Sequence, residues 1–311
     1  HATSLEEHVF PDIVNNVTQS VIDDPSEHWN TFYKNHHTGD VYRPRRYLVQ
    51  EFLQWFERID AVGGTVLECG CGHGCSVQPL FDHFPNIKFH LTDYSTNALQ
   101  LLKQNVISSS SSHSDINSRC VIESKHCHRI IGYDTWDITV PFHHIPTVDT
   151  DYKIIQASEV PDTEVSSTDE SVSLSVSSEG GLKVSGIICT FVLSAVLAES
   201  HVIALSHMRD LLQEGGVVMF RDYGLYDMTM MRHQIRVSDH CYQRSHGPDS
   251  GTLVHYFDLD YLRSVVQEAG FTVIELEYAT VCNVNRKSMK QEPTKASASM
   301  KRVFVHGVFM R

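Results

Sequence analysis

The sequence of 311 residues lacks several features that would place it in other classes of protein. No apolar run approaches the roughly 18 residues of a membrane-spanning helix, and no stretch has the basic, apolar and small-residue order of a signal peptide. No Cys-x-x-Cys pair occurs, and the eight cysteines are scattered, which is typical of reduced thiols. We therefore expect a soluble cytoplasmic protein without membrane association, with an additional nuclear location left open.

Positive charge is also scarce, because 25 Lys and Arg stand against 38 Asp and Glu, a net charge of −13. Taken alone, this balance argues against a nucleic-acid partner. More than half of the net negative charge lies in residues 146–181, which hold eight Asp or Glu, one Lys and eight Ser. A segment so rich in charge and so poor in apolar residues is predicted to be a disordered insertion.

Short apolar segments alternate with amphipathic segments along most of the chain. Residues 1–60 have a helical pattern, and residues 61–311 are predicted to form one domain. The predicted strands are 65–70, 86–93, 128–134, 183–191, 216–224, 271–281 and 301–310, and the predicted helices are 76–84, 95–105, 201–216 and 257–270. This alternation predicts an α/β fold with a mostly parallel sheet and helices on both faces. Ligands of such sheets bind at the carboxyl ends of the strands.

Residues 66–75, VLECGCGHGC, follow the first predicted strand and open a helix. The spacing of Cys69, Cys71 and Cys75 does not fit a structural zinc site, and we predict no metal. The glycines of E-x-G-x-G-x-G let the backbone turn tightly and approach a ligand without a Cβ in the way. The dinucleotide pattern G-x-G-x-x-G would need its third glycine at Cys75. The loop therefore favours another nucleotide-like cofactor, whose ribose Asp93 could bind.

Three further stretches are more specific: HWNTFYKNH at 28–36, TFVLSAV at 190–196 and FRDYGLYDMTMMRH at 220–233. With the glycine loop and KRVFVHGVF at 301–309, they resemble the methyltransferase-like subfamily of tRNA N(3)-methylcytidine methyltransferases. The resemblance covers nearly the whole chain except the serine-rich runs at 108–114 and 146–181. It implies a class I methyltransferase fold with a Rossmann-like, seven-stranded sheet and S-adenosyl-L-methionine as cofactor. It also implies formation of 3-methylcytidine in the tRNA anticodon loop.

Carried over position by position, the resemblance implies a cofactor site built from strand ends and from the N-terminal segment. Its members are Trp29 and Tyr33 folded over the cofactor, Gly70 and Gly72 in the loop, Asp93 at the ribose, Asp137 and Ile138 beside the adenine, and Thr190 touching the cofactor through its backbone.

The chemistry of cytosine sets what the protein must supply. Its N3 atom carries an in-plane lone pair and needs no deprotonation, so the main task is positioning. The methylated ring is cationic, and a nearby carboxylate would stabilise that charge. We predict this role for Asp222, with Arg221 holding it or a phosphate and Tyr223 stacking on a base. The alternative for these three residues is a structural network at a strand end.

Clustered cations are the expected contacts to the tRNA backbone. The candidates are Arg43, Arg45, Arg46, Arg232, Arg236, Arg244, Arg286, Lys287 and Arg302. The family's K-D-R-H-W-L stretch is only partly kept, since Arg45 and Leu48 alone match. Family members can depend on a partner such as a seryl-tRNA synthetase. Two alternatives stay open: a methyltransferase of a small molecule or protein, and a non-catalytic scaffold that binds the cofactor.

Overall fold

A seven-stranded sheet organises the computed structural model, which describes residues 25–36, 42–107, 122–143, 182–244, 247–284 and 299–311. The acidic segment 146–181 and the run 108–114 lie outside the described residues. The strands are β1 (Thr65–Cys69), β2 (Lys88–Asp93), β3 (Val106–Ile107), β4 (Ile122–Glu123), β5 (Ile130–Thr135), β6 (Val184–Thr190), β7 (Leu212–Tyr223), β8 (Ile235–Ser238), β9 (Cys241–Gln243), β10 (Leu253–His255), β11 (Thr272–Val284) and β12 (Ser299–Met310).

The main sheet has the strand order β11-β12-β7-β6-β1-β2-β5. Strands β5, β2, β1, β6 and β7 are parallel, whereas β12 runs antiparallel to both β7 and β11. From β1 the chain adds β2 and then β5 on one side, and it then crosses to the other side of β1 to add β6 and β7. The carboxyl ends of β1 and β6 therefore flank the crevice where such sheets bind ligands. The predicted α/β fold with a mostly parallel sheet of seven strands is confirmed.

Helices cover both faces of this sheet. They are α1 (Pro25–Asn35), α2 (Tyr47–Glu51), α3 (Leu53–Ala61), α4 (Gln78–His83), α5 (Thr96–Gln104), α6 (His201–Leu211) and α7 (Leu259–Glu268). Phe56 and Leu80 are among the buried residues that join α3 and α4 to one face. Leu205 and Val266 do the same for α6 and α7 on the other face. The helix predicted over 95–105 begins one residue later, because Ser95 is its N-cap: the Ser95 hydroxyl accepts a hydrogen bond from the Ala98 N–H at 3.2 Å.

The segment after α6 differs from the predicted helix over 201–216, which would end at two glycines, Gly215 and Gly216. Helix α6 ends at Leu211, and β7 begins at once. Gly216 bonds to the end of the chain, since its carbonyl accepts from the Arg311 N–H at 3.0 Å. The register of β6 against β7 also shifts between Val184 and Gly186. The glycines therefore fit an irregularity in a strand rather than a helix stop, because sheet pairing outweighs the local helical pattern.

Two small sheets were not predicted. Strands β8, β9 and β10 form an antiparallel sheet, in which Tyr242 and Val254 are buried against Leu225. Strands β3 and β4 form the other sheet. Among the helices of the described ranges, none has the length and apolar content needed to cross a membrane.

Candidate active site

A cavity of about 320 Å³ lies at the carboxyl ends of the parallel strands. Its walls come from α1, from the loop after β1, from the ends of β2 and β5, and from the turn after β6. A volume near 300 Å³ is at the lower end of the range for small-molecule sites. Six of the eight predicted cofactor residues line it, whereas Gly72 and Thr190 do not; the six are Trp29, Tyr33, Gly70, Asp93, Asp137 and Ile138.

The loop after β1 depends on glycine at two positions. Gly70 and Gly72 have φ values of 60° and 55°, in the left-handed region that favours glycine. A Cβ on Gly70 would lie 2.5 Å from Val192 Cγ2, and one on Gly72 would lie 2.7 Å from the Tyr33 hydroxyl. The loop can therefore lie against the turn after β6 and against α1 only because these side chains are missing.

Asp93 ends β2 and connects the loop to the next helix. One carboxylate oxygen accepts from the Gly72 N–H and the other from the Ser95 N–H, both at 2.8 Å. Burial raises the pKa of Asp93 to about 6, although these bonds favour the ionised form. The Tyr94 backbone is a third donor, so one of the roughly four acceptor sites of the carboxylate is left for a hydroxyl group of a ligand in the cavity.

Glu68 precedes the loop and is buried. Burial raises the pKa of its carboxyl group to about 8, and the positive charge of Arg45 lowers it in part. At neutral pH this carboxyl group is therefore mostly protonated in the protein without ligand.

Helix α1 forms the wall with Trp29 and Tyr33. The carboxamide oxygen of Asn30 accepts from the Ser95 hydroxyl at 2.7 Å, and the Asn30 carbonyl accepts from the Asn97 amide at 3.0 Å. These bonds join α1 to the start of α5. The N-terminal segment thus closes one side of the cavity through the helix that follows Asp93.

The turn after β5 contributes Asp137 and its neighbours. Asp137 Oδ1 accepts from the N–H and hydroxyl of Thr139, at 2.9 and 2.7 Å, which fixes the carboxylate in the wall. Trp136 is buried and donates from Nε1 to the Val140 carbonyl at 3.0 Å. Trp136 and Thr139 also line the cavity. Both were missed, although their places after a predicted strand could have indicated them.

The end of β6 requires a correction to the predicted site. Thr190 is buried and does not line the cavity, whereas the next two residues, Phe191 and Val192, do. Phe191 has a φ of 60°, and its N–H donates to the Arg221 carbonyl at 2.8 Å. The left-handed backbone turns the chain out of the strand at this point. At this strand end the residues that line the cavity are therefore Phe191 and Val192 rather than Thr190.

The predicted catalytic residues also need correction. Asp222 is fully buried, and its two oxygens accept from the N–H groups of Ser194 and Tyr223, both at 2.9 Å. Burial raises its pKa to about 6. Asp222 does not line the cavity, and neither do Arg221 and Tyr223. Its bonds instead tie the turn after β6 to β7, so the structure favours a positioning role over direct contact with a base.

Arg221 is enclosed at the same strand end. Its guanidinium pairs with Glu51 and lies 4.6 Å from the ring centroids of both Tyr47 and Phe304. Tyr223 is half-buried, with its ring centroid 4.8 Å from that of Phe191. Arg221 thus has protein partners on several sides, which does not fit the predicted contact to a phosphate.

The predicted tRNA-binding cations fall into two groups. Arg43, Arg46 and Arg232 are exposed and remain candidates. The other four described cations bind groups within the protein: Arg45 binds Ser76 and the Thr190 carbonyl, Arg236 binds Asp239, Arg244 binds Asp249, and Arg302 binds Asp227. Arg244 is also buried, which removes it as a simple phosphate contact. Arg286 and Lys287 lie outside the described residues.

The cysteines of the loop lie beside its glycines and are buried. Cys69 and Cys71 are buried free thiols, and burial raises the pKa of both. Cys75 is buried as well, with its Sγ 3.3 Å from His73 Nε2. Within the described ranges, no group of three or more His, Cys, Asp or Glu side chains could hold a metal ion.

Comparisons with known proteins place this chain in a family. The family described as "Methyltransferase domain" matches residues 41–276. Human "tRNA N(3)-cytidine methyltransferase METTL6" is 25% identical over 297 residues, covering 94% of this chain and 82% of that protein. The Schizosaccharomyces pombe "tRNA N(3)-methylcytidine methyltransferase trm141" is 24% identical over 288 residues, covering 91% of each chain.

Two further comparisons concern a curated relative with another named activity and a solved structure with the same fold. "O-methyltransferase 3" of Dictyostelium discoideum is 29% identical over 252 residues, covering 79% of this chain but 44% of that protein. A solved SAM-dependent methyltransferase from Anabaena variabilis shares the fold, with a TM-score of 0.51, 12% identity and coverage of 97% and 98%. Since the family match spans more than half of the sequence, the chain belongs to the family of methyltransferase domains.

Proposed function

We propose that this protein transfers a methyl group from S-adenosyl-L-methionine to N3 of cytidine in tRNA, at the anticodon loop. The observation that carries the proposal is the part of the cavity lining that comes from the segment after β6 and from β10. Its residues are Phe191, Val192, Ala195, Val196, Leu197, Ser200 and Leu253. None of these described residues is acidic or basic, so this part of the lining offers no charged side chain to remove a proton. Such a wall suits an acceptor atom that attacks with a free lone pair.

The residues around the cavity fit the cofactor. Gly70 brings the backbone to its edge without a side chain, and the Asp93 carboxylate suits a ribose hydroxyl. Trp29 and Tyr33 supply an aromatic wall, and the Asp137 carboxylate can accept from an adenine amino group. When bound, S-adenosyl-L-methionine supplies a methyl group on a sulfonium centre that is already electrophilic. The protein's residues therefore need to bind and orient the two reactants.

Asp222 acts in this proposal by holding the acceptor wall. Its bond to the Ser194 N–H fixes the turn that carries Phe191, Val192 and Val196. A nucleotide in a tRNA loop can be turned out of its stack to reach the cavity. Arg43, Arg46 and Arg232 are exposed and suit contacts with its backbone. The net charge of −13 makes a helper protein, such as a seryl-tRNA synthetase, part of the same proposal.

The test is nucleoside mass spectrometry of tRNA that lacks 3-methylcytidine, incubated with the protein and S-adenosyl-L-methionine. We expect 3-methylcytidine with the unchanged protein and none with Asp93→Ala. The variant Asp239→Ala, at an exposed position that does not line the cavity, serves as the matched control and should stay active. Reactions with and without a seryl-tRNA synthetase test the partner.

A hydroxyl acceptor is the second candidate, because the relative with 29% identity is named an O-methyltransferase. A hydroxyl group must lose a proton during transfer, so it needs a base near the cavity. The discriminating arm replaces tRNA with an extract of small metabolites and follows the labelled methyl group. Label in metabolites, together with unmodified tRNA in every reaction, would reject the tRNA proposal.

A further inference from the structure

Arg45 joins three separate parts of the chain beside the cavity. Its guanidinium Nη1 donates to the Ser76 hydroxyl at 3.0 Å and to the Thr190 carbonyl at 3.3 Å. Its backbone N–H donates to the Cys75 carbonyl at 2.8 Å. The segment before α2 is thus fastened both to the glycine loop and to the end of β6.

The same guanidinium also lies over the ring of Phe191, with Cζ 5.2 Å from the ring centroid. This distance is within the range of cation–π contacts. Phe191 lines the cavity and has the left-handed φ of 60°, which a bulky residue adopts only where its surroundings hold it. The Tyr223 ring, 4.8 Å away between centroids, supports Phe191 from another direction.

The charge of Arg45 is not neutralised by an ion pair with any carboxylate of the described residues. In contrast, Arg221, Arg244 and Arg302 each have a carboxylate partner. An unpaired, half-buried cation could be a phosphate contact, as its sequence position suggests. Its hydrogen bonds to Ser76 and Thr190 and its contact with Phe191 are instead directed inwards.

We propose that Arg45 is a positioning residue, whose guanidinium fastens the glycine loop to the end of β6 and holds the Phe191 ring as the surface on which the acceptor base stacks. This inference rests on the proposed function for the identity of the base. A planar guanidinium can lie flat on a ring while it donates along its edge, and the ammonium group of lysine cannot. Phe191 touches the acceptor, and Arg45 acts through Phe191.

Kinetic measurements on Arg45→Lys and Arg45→Ala separate the two roles. For a positioning role we expect both variants to lose about tenfold or more in kcat, because small displacements of a reactant cost that much. S-adenosylhomocysteine affinity should change less than kcat. The slope of the logarithm of tRNA affinity against the logarithm of salt concentration should stay unchanged in both variants. The exposed neighbour Arg43 is the comparison, and Arg43→Ala should reduce that slope by about 0.7–0.9, the value for one phosphate contact.

A cycle with Phe191→Leu tests whether Arg45 works through the ring. We expect Phe191→Leu to lower kcat to a similar degree and the double variant Arg45→Lys/Phe191→Leu to be no slower than the worse single variant. The melting midpoint of the double variant should likewise fall by less than the two single losses combined. The midpoints need no activity, so they test the contact even where tRNA is not the substrate.

Two results would overturn the inference. One is full activity of Arg45→Lys together with a reduced salt slope in Arg45→Ala, which would make Arg45 a phosphate contact. The other is independence of the two substitutions in the cycle. The fold losses in kcat would then multiply in the double variant, and the decreases in melting midpoint would add. Absence of 3-methylcytidine with the unchanged protein would instead reject the proposed function, and the midpoint cycle would still decide the role of Arg45.

Discussion

Replacing Gly70 with alanine should separate the cost of a left-handed backbone from the cost of a collision. Alanine at a φ of 60° costs about 1–2 kcal/mol for the backbone alone. Its Cβ would also lie 2.5 Å from Val192 Cγ2, so Val192 must move. Crowding of this kind adds about 1–3 kcal/mol. For a domain of about this size, each kcal/mol lowers the melting temperature by roughly 2–4 °C.

The position for comparison is Gly215, which has a φ of 73° and where a Cβ would meet no atom of the described residues within 4 Å. Gly215→Ala should carry only the backbone cost and leave S-adenosylhomocysteine affinity unchanged in calorimetry. Gly70→Ala should melt lower and bind at least about tenfold more weakly, a loss of about 1.4 kcal/mol, because Val192 lines the cavity. Adding Val192→Ala to Gly70→Ala removes the collision and should restore part of the affinity. Equal melting losses and unchanged affinity in both single variants would refute the reasoning.

Three further predictions concern buried charges. Burial raises the pKa of Glu68 in the folded protein to about 8, so the protein without ligand should lose stability as pH rises from about 4.5 to 8. Glu68→Gln should remove this loss in urea unfolding. The same pH dependence of stability in the variant and in the unchanged protein would contradict this prediction. Glu51→Ala should lower the free energy of unfolding by about 3 kcal/mol, because it leaves Arg221 unpaired. Adding Arg221→Met should recover part of this stability. A larger loss in the double variant would argue against the ion pair. Asp227→Asn should cost about 3 kcal/mol, because the fully buried carboxylate accepts from Arg302 Nε and the Val303 N–H; S-adenosylhomocysteine affinity should stay within a few-fold.

The sequence predicted most of the main sheet because its strands are short apolar runs with periodic helices between them. Ser95 has both a suitable side chain and a suitable place for an N-cap, so the start of α5 was predictable to within one residue. The glycines at 215 and 216 misled, because their role depends on the pairing of the flanking Leu212 and Val217 with β6 and on hydrogen bonds to Arg311, which are distant in the sequence. Strands β8–β10 were missed since three or four residues carry too little pattern.

The site was predictable where a residue lies at the end of a strand, or within two residues of it, and lines the cavity. Asp93 and Asp137 belong to this kind. Asp222 could not be assigned in this way, because alternate residues of a strand point in opposite directions and burial depends on the packing of the next turn. The pairing of Arg244 with Asp249 likewise forms only when β9 and β10 come together.

The position of β12 has a consequence for the order in which the chain can fold. β12 pairs with β7 on one side and with β11 on the other, and both of these strands precede it in synthesis. At about 5–20 residues per second, roughly 4–15 s separate the appearance of Tyr223 from that of Ser299. During this interval one edge of β7 is open to other chains, and β11 has no strand that could join it to the sheet. Closure of the sheet on the ribosome therefore waits for residues 299–310, long after the glycine loop has been made.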